Sequence, residues 1–277
     1  MKGYLFFDID GTLEDSSRGQ PVSEGVIDAL NQANENGYAC FICSGRNLRG
    51  LRNYRNLGMK GYVFSDGGGI MIEGKEPLYT SIPDDVIRNL IRDIPEKYNG
   101  DLMMATAENM FAGDTEYRNM YESACRFADE NTEPDQVMSL FGIRKLSEYN
   151  GDPVNEIDVS FPDEETEALF VSEMDDRLEF ISTSESYGRG GRTAGELTCR
   201  GVTKASGAKR ITEMLGGSMK NTYAFGDSMN DASVLIACEY GIAMGNSPQE
   251  LKDLADYVTG DVSEDGVVSA MKHFGII

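Results

Sequence analysis

Lys2 to Phe7 is an apolar run without polar alternation, the pattern of a strand buried on both faces, and it ends at acidic residues. From Ser23 to Asn36 the period changes to that of a helix. Val26, Ile27, Leu30 and Ala33 recur on one side, and Gly37 closes the segment. Tyr38 to Cys43 reads as a second buried strand, Arg46 to Arg55 as a second helix, and Gly61 to Phe64 as a third strand. This order predicts a doubly wound α/β fold on a parallel sheet.

The alternation then breaks. Residues 65–81 have the turn and strand signals of a hairpin: SDGGG, a short apolar stretch, EGKEP and another strand. Beyond them, helices are expected over Asp84 to Tyr98, Thr115 to Asp129 and Pro162 to Leu178. Strands are expected at Glu156 to Ser160 and Glu179 to Ser184. That mixture is an α+β module. After Gly195 the α/β order resumes, with a helix from Lys204 to Leu215, a strand from Asn221 to Phe225, a helix from Asp231 to Ala237 and a strand from Gly241 to Met244. The expected organisation is a core of residues 1–81 and 189–277, with 82–188 inserted.

Charge supports the division. The chain carries 47 acidic and 25 basic residues, a net charge of −22. Residues 82–188 hold 26 acids and 8 bases, a balance of −18, which leaves 21 acids and 17 bases, or −4, for the rest. So acidic a protein is not expected to bind nucleic acid. No apolar run reaches the length of a membrane span. The strand-like run at the front leaves no room for a signal peptide, so a cytoplasmic protein is expected. The oligomeric expectation is a monomer or dimer. Cys40 and Cys43 form a CxxC on a strand, where they point to opposite faces, so they read as buried residues rather than a redox pair. The single histidine, His273, offers no zinc site and no catalytic argument.

Four clusters hold candidate chemistry. FFDIDGTL places Asp8 and Asp10 just past a strand, where open α/β sheets bind ligands, and Gly11 permits a tight turn beside them. FGDSMND repeats the arrangement with Asp227, Asn230 and Asp231. Four carboxylates at one sheet edge repel each other in a partly dry site, and a divalent cation resolves the conflict. Oxygen donors favour Mg²⁺ over a soft metal. ICSGR puts the hydroxyl of Ser44, followed by Gly45, at the start of an expected helix, an anion-binding arrangement. GVTKASGAKR puts Lys204 at a helix start, where the dipole disfavours a cation unless a phosphate or carboxylate is held nearby.

In this order the four clusters resemble the four motifs of the haloacid dehalogenase superfamily. The chain is similar to the Cof-type phosphatases of subclass IIB, which have a large α/β cap inserted between the second and third motifs. Ser44 stands where that family commonly has threonine, which also supplies a hydroxyl. The resemblance implies an HAD-like Rossmannoid core and a magnesium-dependent phosphatase working through an aspartyl-phosphate on Asp8. Asp10 would be the acid and base, with its backbone carbonyl on the metal. Asp8 and Asp227 would be the other protein ligands. Asn230 and Asp231 would hold the metal or its waters and orient Lys204. Ser44 and Lys204 would bind the phosphoryl group, with backbone N–H groups near Gly11 and Gly45. A phosphosugar mutase and a non-catalytic metabolite-binding regulator are the alternatives on the same fold.

The cap would select the substrate, a small phosphorylated metabolite. Asp66, Gly67 and Gly68, and Arg189 and Arg192, lie at the two crossings into the inserted module and are candidates for substrate contact or for a hinge. An acidic cap disfavours a polyanionic leaving group, which points to a sugar phosphate or a cofactor phosphate such as pyridoxal phosphate. Arg46, Arg49, Arg52 and Arg55 recur at every third position of the expected helix, either a solvated face or a stripe drawing the acidic module closed.

Overall fold

The computed structural model describes residues 1–127, 133–183 and 192–277. The chain opens with β1 (Gly3–Phe7), α1 (Glu24–Glu35) and β2 (Tyr38–Cys43), then β3 (Gly61–Phe64), β4 (Gly69–Ile72) and β5 (Leu78–Tyr79). It continues through α2 (Asp84–Tyr98), β6 (Asp101–Thr106), β7 (Met110–Ala112), α3 (Asp114–Phe127), α4 (Pro134–Phe141) and β8 (Ile143–Lys145). Then come β9 (Val154–Phe161), α5 (Glu164–Glu173), β10 (Leu178–Ser182) and β11 (Thr193–Cys199). The last stretch is α6 (Lys204–Met214), β12 (Thr222–Gly226), α7 (Ala232–Ala237), β13 (Tyr240–Ala243), α8 (Gln249–Leu254), β14 (Tyr257–Val258) and α9 (Gly266–His273). Among the described residues, no helix is long and apolar enough to cross a membrane.

Two units divide the chain. The first comprises Met1–Arg46, Leu51–Leu78 and Val202–Ile277, and the second comprises Asn47–Gly50 and Tyr79–Gly201. The first is built on a sheet ordered β14-β13-β12-β1-β2-β3-β4-β5. From β14 to β3 it is parallel, β4 turns back antiparallel on β3, and β5 lies beside β4, the two strands of the hairpin expected over residues 65–81. All residues of β1 and β12 are buried, and all of β2 except Tyr38, which explains their unbroken apolar runs. Phe6 stacks on Phe41 and Phe7 on Phe225 at centroid distances of 5.3 and 4.5 Å. Helix α1 buries Val26, Ala29, Leu30 and Ala33, and Ser23 caps it by accepting from the Val26 N–H. Cys40 and Cys43 are buried free thiols. His273 stacks on Tyr257 at 4.2 Å. After β1 the chain runs outward through β2 and β3, and after α6 it runs the other way through β12 to β14. The switch point therefore lies between β1 and β12.

The second unit has a six-stranded sheet, β10-β11-β9-β6-β7-β8, antiparallel except for the β7–β8 pair. Its core joins Ile87 and Ile94 of α2 to Met104, Phe111, Ile157, Phe161, Phe170 and Leu197. The expected return to the core at 189 is corrected by β11. This strand pairs with both β9 and β10, so 193–199 belongs to the inserted sheet. The sequence TAGELTC of β11 does not reveal which sheet it joins, and only the cross-strand partners do.

The helix expected from Arg46 to Arg55 does not form. Asn47 Oδ1 accepts from the Gly50 N–H at 3.0 Å, a local turn that competes with a helix, and a 3-10 helix follows only from Arg52 to Leu57. Gly50, Asn47 and Asn53 are also weak helix formers. The arginine stripe goes with the helix. Arg46 pairs with acids of the first unit, while Arg49 donates to the Leu140 and Ser139 carbonyls of the second at 3.0 and 2.7 Å.

Candidate active site

Strand β1 delivers Asp8 in register with β12, because the Asp8 N–H donates to the Phe225 carbonyl at 3.0 Å. The chain then turns. The N–H groups of Leu13 and Glu14 return to the Ile9 carbonyl, and the Gly11 N–H to the Glu14 carbonyl. Gly11 has φ +84°, and a Cβ there would lie 2.3 Å from the Asp227 carboxylate, so glycine is required twice over.

Asp227 and Asp231 follow β12. Asp231 is fully buried, and its Oδ2 accepts from the N–H groups of Asp227 and Ser228 at 3.0 and 3.1 Å. Its Oδ1 accepts from Lys204 Nζ at 2.6 Å. Lys204 opens α6 behind Thr203, which caps the helix. The buried ammonium also donates to Asp8 Oδ1 at 2.8 Å and Asn230 Oδ1 at 3.2 Å. The lysine at a helix start is therefore explained by carboxylates, as charge rules require.

Asp8, Asp227 and Asp231 each offer an oxygen within 4.8 Å of the others. At such spacing each pair of charges repels by about 4 kcal/mol at an effective dielectric constant near 20. Burial pushes the Asp8 carboxyl well up, opposed by the Lys204 charge. Burial and the Asp231 charge push Asp227 up to about 7. Burial lowers Lys204, but Asp231 and Asp8 outweigh it and hold the ammonium well above its ordinary value. One lysine does not neutralise three acids. The donor set is entirely oxygen, which fits a hard divalent cation. Both oxygens of Asp231 are already engaged, so Asp8 and Asp227 are the members with capacity for an ion.

Asp10 stands apart from that cluster. Arg46 grips its carboxylate with Nε at 2.9 Å and a terminal nitrogen at 2.6 Å, and Ser16 also donates to it. Burial would raise Asp10, yet the Arg46 and Ser16 hydrogen bonds win and lower it. The same arginine reaches Glu14 at 3.0 Å and Tyr54 Oη at 2.7 Å. Glu14 and Tyr54 escaped the sequence analysis, since nothing local marks a pairing across 32 or 8 residues. Asn246 escaped it too, and its side-chain amide donates to the Gly11 carbonyl at 2.9 Å.

Ser44 is buried at the end of β2, and its Oγ accepts from the Arg46 N–H at 3.2 Å. Because no helix starts there, the expected helix-terminus anion site is replaced by this hydroxyl turn. Asp66 and Gly67 follow β3 in a turn where Ser65, Asp66 and Gly67 have φ +46°, +45° and +102°. Left-handed non-glycine residues cost of order 1–3 kcal/mol each. Gly68 ends that turn, its N–H donating to the Ser65 carbonyl at 2.7 Å. Asp66, Gly67 and Gly68 all belong to the first unit. Arg192 lies in the second unit, donating to the Ser160 carbonyl and hydroxyl at 3.3 and 3.4 Å. Arg189 lies outside the described residues.

Residues 5–271 match the family model for haloacid dehalogenase-like hydrolases. The phosphatase YwpJ of Bacillus subtilis is 28% identical over 289 aligned positions, covering 97% of this chain and 98% of that protein. The 5-amino-6-(5-phospho-D-ribitylamino)uracil phosphatase YcsE of the same organism is 26% identical, covering 98% of this chain and 94% of its own length. Among solved structures, the HAD subclass IIB sugar phosphatase BT4131 superposes with a TM-score of 0.74 at 28% identity, covering 99% of this chain and all of that one. The chain belongs to the haloacid dehalogenase-like hydrolases, in the Cof-type branch with its inserted α+β cap, and is a phosphoric monoester hydrolase.

Proposed function

We propose that the protein hydrolyses a small phosphorylated metabolite through an aspartyl-phosphate on Asp8, with Mg²⁺ held by Asp8, the Asp10 carbonyl and Asp227. One observation carries this reading: a single buried lysine bridges Asp8 and Asp231 while Asp227 stands within 4.8 Å of both. The cation, when bound, neutralises charge on the phosphoryl oxygens and on the carboxylates around them.

The residues divide the work. An Asp8 oxygen attacks phosphorus, and the bond from phosphorus to the ester oxygen breaks. Asp10 gives its proton to the departing oxygen. Water then attacks the phosphorus, loses a proton to Asp10 and breaks the bond to Asp8, so ester and water become alcohol and phosphate. Once its proton has gone to the departing oxygen, Asp10 is the carboxylate that Arg46 favours, the form that takes the proton from water. Ser44 Oγ already accepts from Arg46 and keeps its own hydrogen to donate to a phosphoryl oxygen. Lys204 supplies fixed positive charge. Asn230 and Asp231 keep that charge in place.

The cap selects the leaving group. The balance of −18 over residues 82–188 disfavours a second phosphate, which supports a sugar phosphate or a cofactor phosphate such as pyridoxal phosphate. Both the sugar named for BT4131 and the ribitylamino compound named for YcsE agree with a polyhydroxylated leaving group. The test is phosphate release from a panel of phosphorylated metabolites, with Mg²⁺ and with chelator. Turnover that survives chelation or Asp8→Asn refutes the mechanism. Phosphate transfer between sugar positions without release would establish a mutase instead.

A further inference from the structure

Among the described residues, Asp66 is the one acid paired with Lys204 whose near oxygen accepts no hydrogen bond. Its Oδ1 is buried, accepts no hydrogen bond among the described residues, and stands 3.8 Å from Lys204 Nζ, beyond hydrogen-bond range. The surrounding backbone fixes it there. The Ser65 and Asp66 N–H groups donate to the Arg46 and Ser44 carbonyls at 3.1 and 3.4 Å. A Cβ on Gly67 would lie 2.1 Å from the Thr203 carbonyl, and one on Gly207 would lie 2.4 Å from Val63 Cγ1. The turn and the start of α6 thus interlock through two glycines. A Cβ on Gly45 would come within 3.0 Å of Asp66 Oδ2. Two adjacent left-handed non-glycine residues, Ser65 and Asp66, persist because these contacts determine them, and such outliers are a pointer to function.

Lys204 has three N–H donors, and Asp8, Asp231 and Asn230 take them. When Asp8 carries a phosphoryl group, its carboxylate becomes a mixed anhydride and loses its charge. The ammonium then loses one of its two bonded carboxylates. We propose that Asp66 is a positioning residue that accepts from Lys204 in the phosphoenzyme and keeps the ammonium against the phosphoryl group. The idea rests on the aspartyl-phosphate reading above. No proton or bond changes hands: one hydrogen bond shifts from Asp8 to Asp66.

The test compares Asp66→Asn, which keeps an acceptor, with Asp66→Gly, which removes it, both residues tolerating the left-handed backbone. Two readouts are needed: steady-state phosphate release, and affinity for beryllium fluoride with Mg²⁺ by ¹⁹F NMR, as a mimic of phosphorylated Asp8. Asp66→Gly is expected to lower kcat and beryllofluoride affinity about tenfold or more, with KM little changed, as loss of a hydrogen bond to a charged group implies. Asp66→Asn is expected to recover most of that loss. Thermal melts identify an unfolded variant, in which case Asp66→Asn against Asp66→Ala decides. Equal kcat and affinity in the wild type and the acceptor-free variant overturn the proposal, as does a loss confined to KM. A wild type that neither releases phosphate nor binds beryllofluoride overturns the phosphatase reading, and this proposal with it.

Discussion

In the core, Asp8, Asp66 and Asp227 are pushed up, in each case first by burial. In the cap, Asp85, Glu173 and Asp175 are pulled down by hydrogen bonds from Arg177 and Lys97, and Asp163 by the backbone and hydroxyl of Thr166. The same side chain therefore has opposite electrostatics in these two groups of acids. These three core acids have given up water around one ammonium. These four cap acids keep water and find exposed partners. Composition marks the cap as the acidic unit, yet the acids with proposed chemical roles, Asp8, Asp10 and Asp227, all belong to the first unit. The sharpest break of this contrast is Asp8→Asn, which removes the proposed nucleophile and keeps the shape. Phosphate release should fall by at least about 10³-fold while a thermal melt stays at or above the wild type. Lower activity that merely tracks lower stability would place Asp8 with the structural acids.

Lys204→Met tests the other half of the cluster. The ammonium is the cation that Asp8 and Asp231 share, and both acids are buried. Removing one partner of a buried ion pair costs about 3–5 kcal/mol. Urea unfolding of this variant should show that loss, and added Mg²⁺ should restore part of it, because the divalent ion relieves the same repulsion. A fully stable Lys204→Met protein would mean that the acids are protonated and need no partner.

Gly11→Ala is expected to have a smaller effect. The positive φ alone costs about 1–2 kcal/mol for a residue with a Cβ. The new methyl also displaces Asp227, so calorimetric titration should show weaker Mg²⁺ binding. Unchanged Mg²⁺ affinity would remove Asp227 from the ligand set.

The core was legible because its signals are local. The apolar runs of β1, β2 and β12 are buried on both faces, and each deposits its polar cluster at the strand end. Lys204 was legible as a misplaced charge, although its partners were not, being 27 and 196 residues away. The helix expected at Arg46 to Arg55 does not form because the Asn47–Gly50 turn, a side-chain to backbone bond, competes with it. Strand β11 falls on the core side of the boundary expected at 189 but pairs within the inserted sheet, since partner choice is non-local. Asp66 carried no sequence signal beyond its glycines. Its position beside Lys204 depends on the packing of Gly67 against Thr203.

Arg177→Ala in the cap is the mildest probe and checks the comparison from the opposite side. The guanidinium bonds Asp175 and Asp85, and its hydrogen bonds are the largest influence on each acid. Asp175 is lowered from 3.8 to about 2. A carboxylate depressed in the folded state adds stability above its unfolded pKa and loses it as pH falls through the folded value. The arginine's contribution should therefore be present at pH 5 and fade between about 4 and 2. Because the groups are exposed, the difference in melting temperature should be small and should shrink further in high salt. The wild type and variant should converge toward pH 2, while the Lys204→Met deficit does not follow that acid limb. A gap that widens as pH falls would show that Arg177 acts through packing of its stem rather than through its charge.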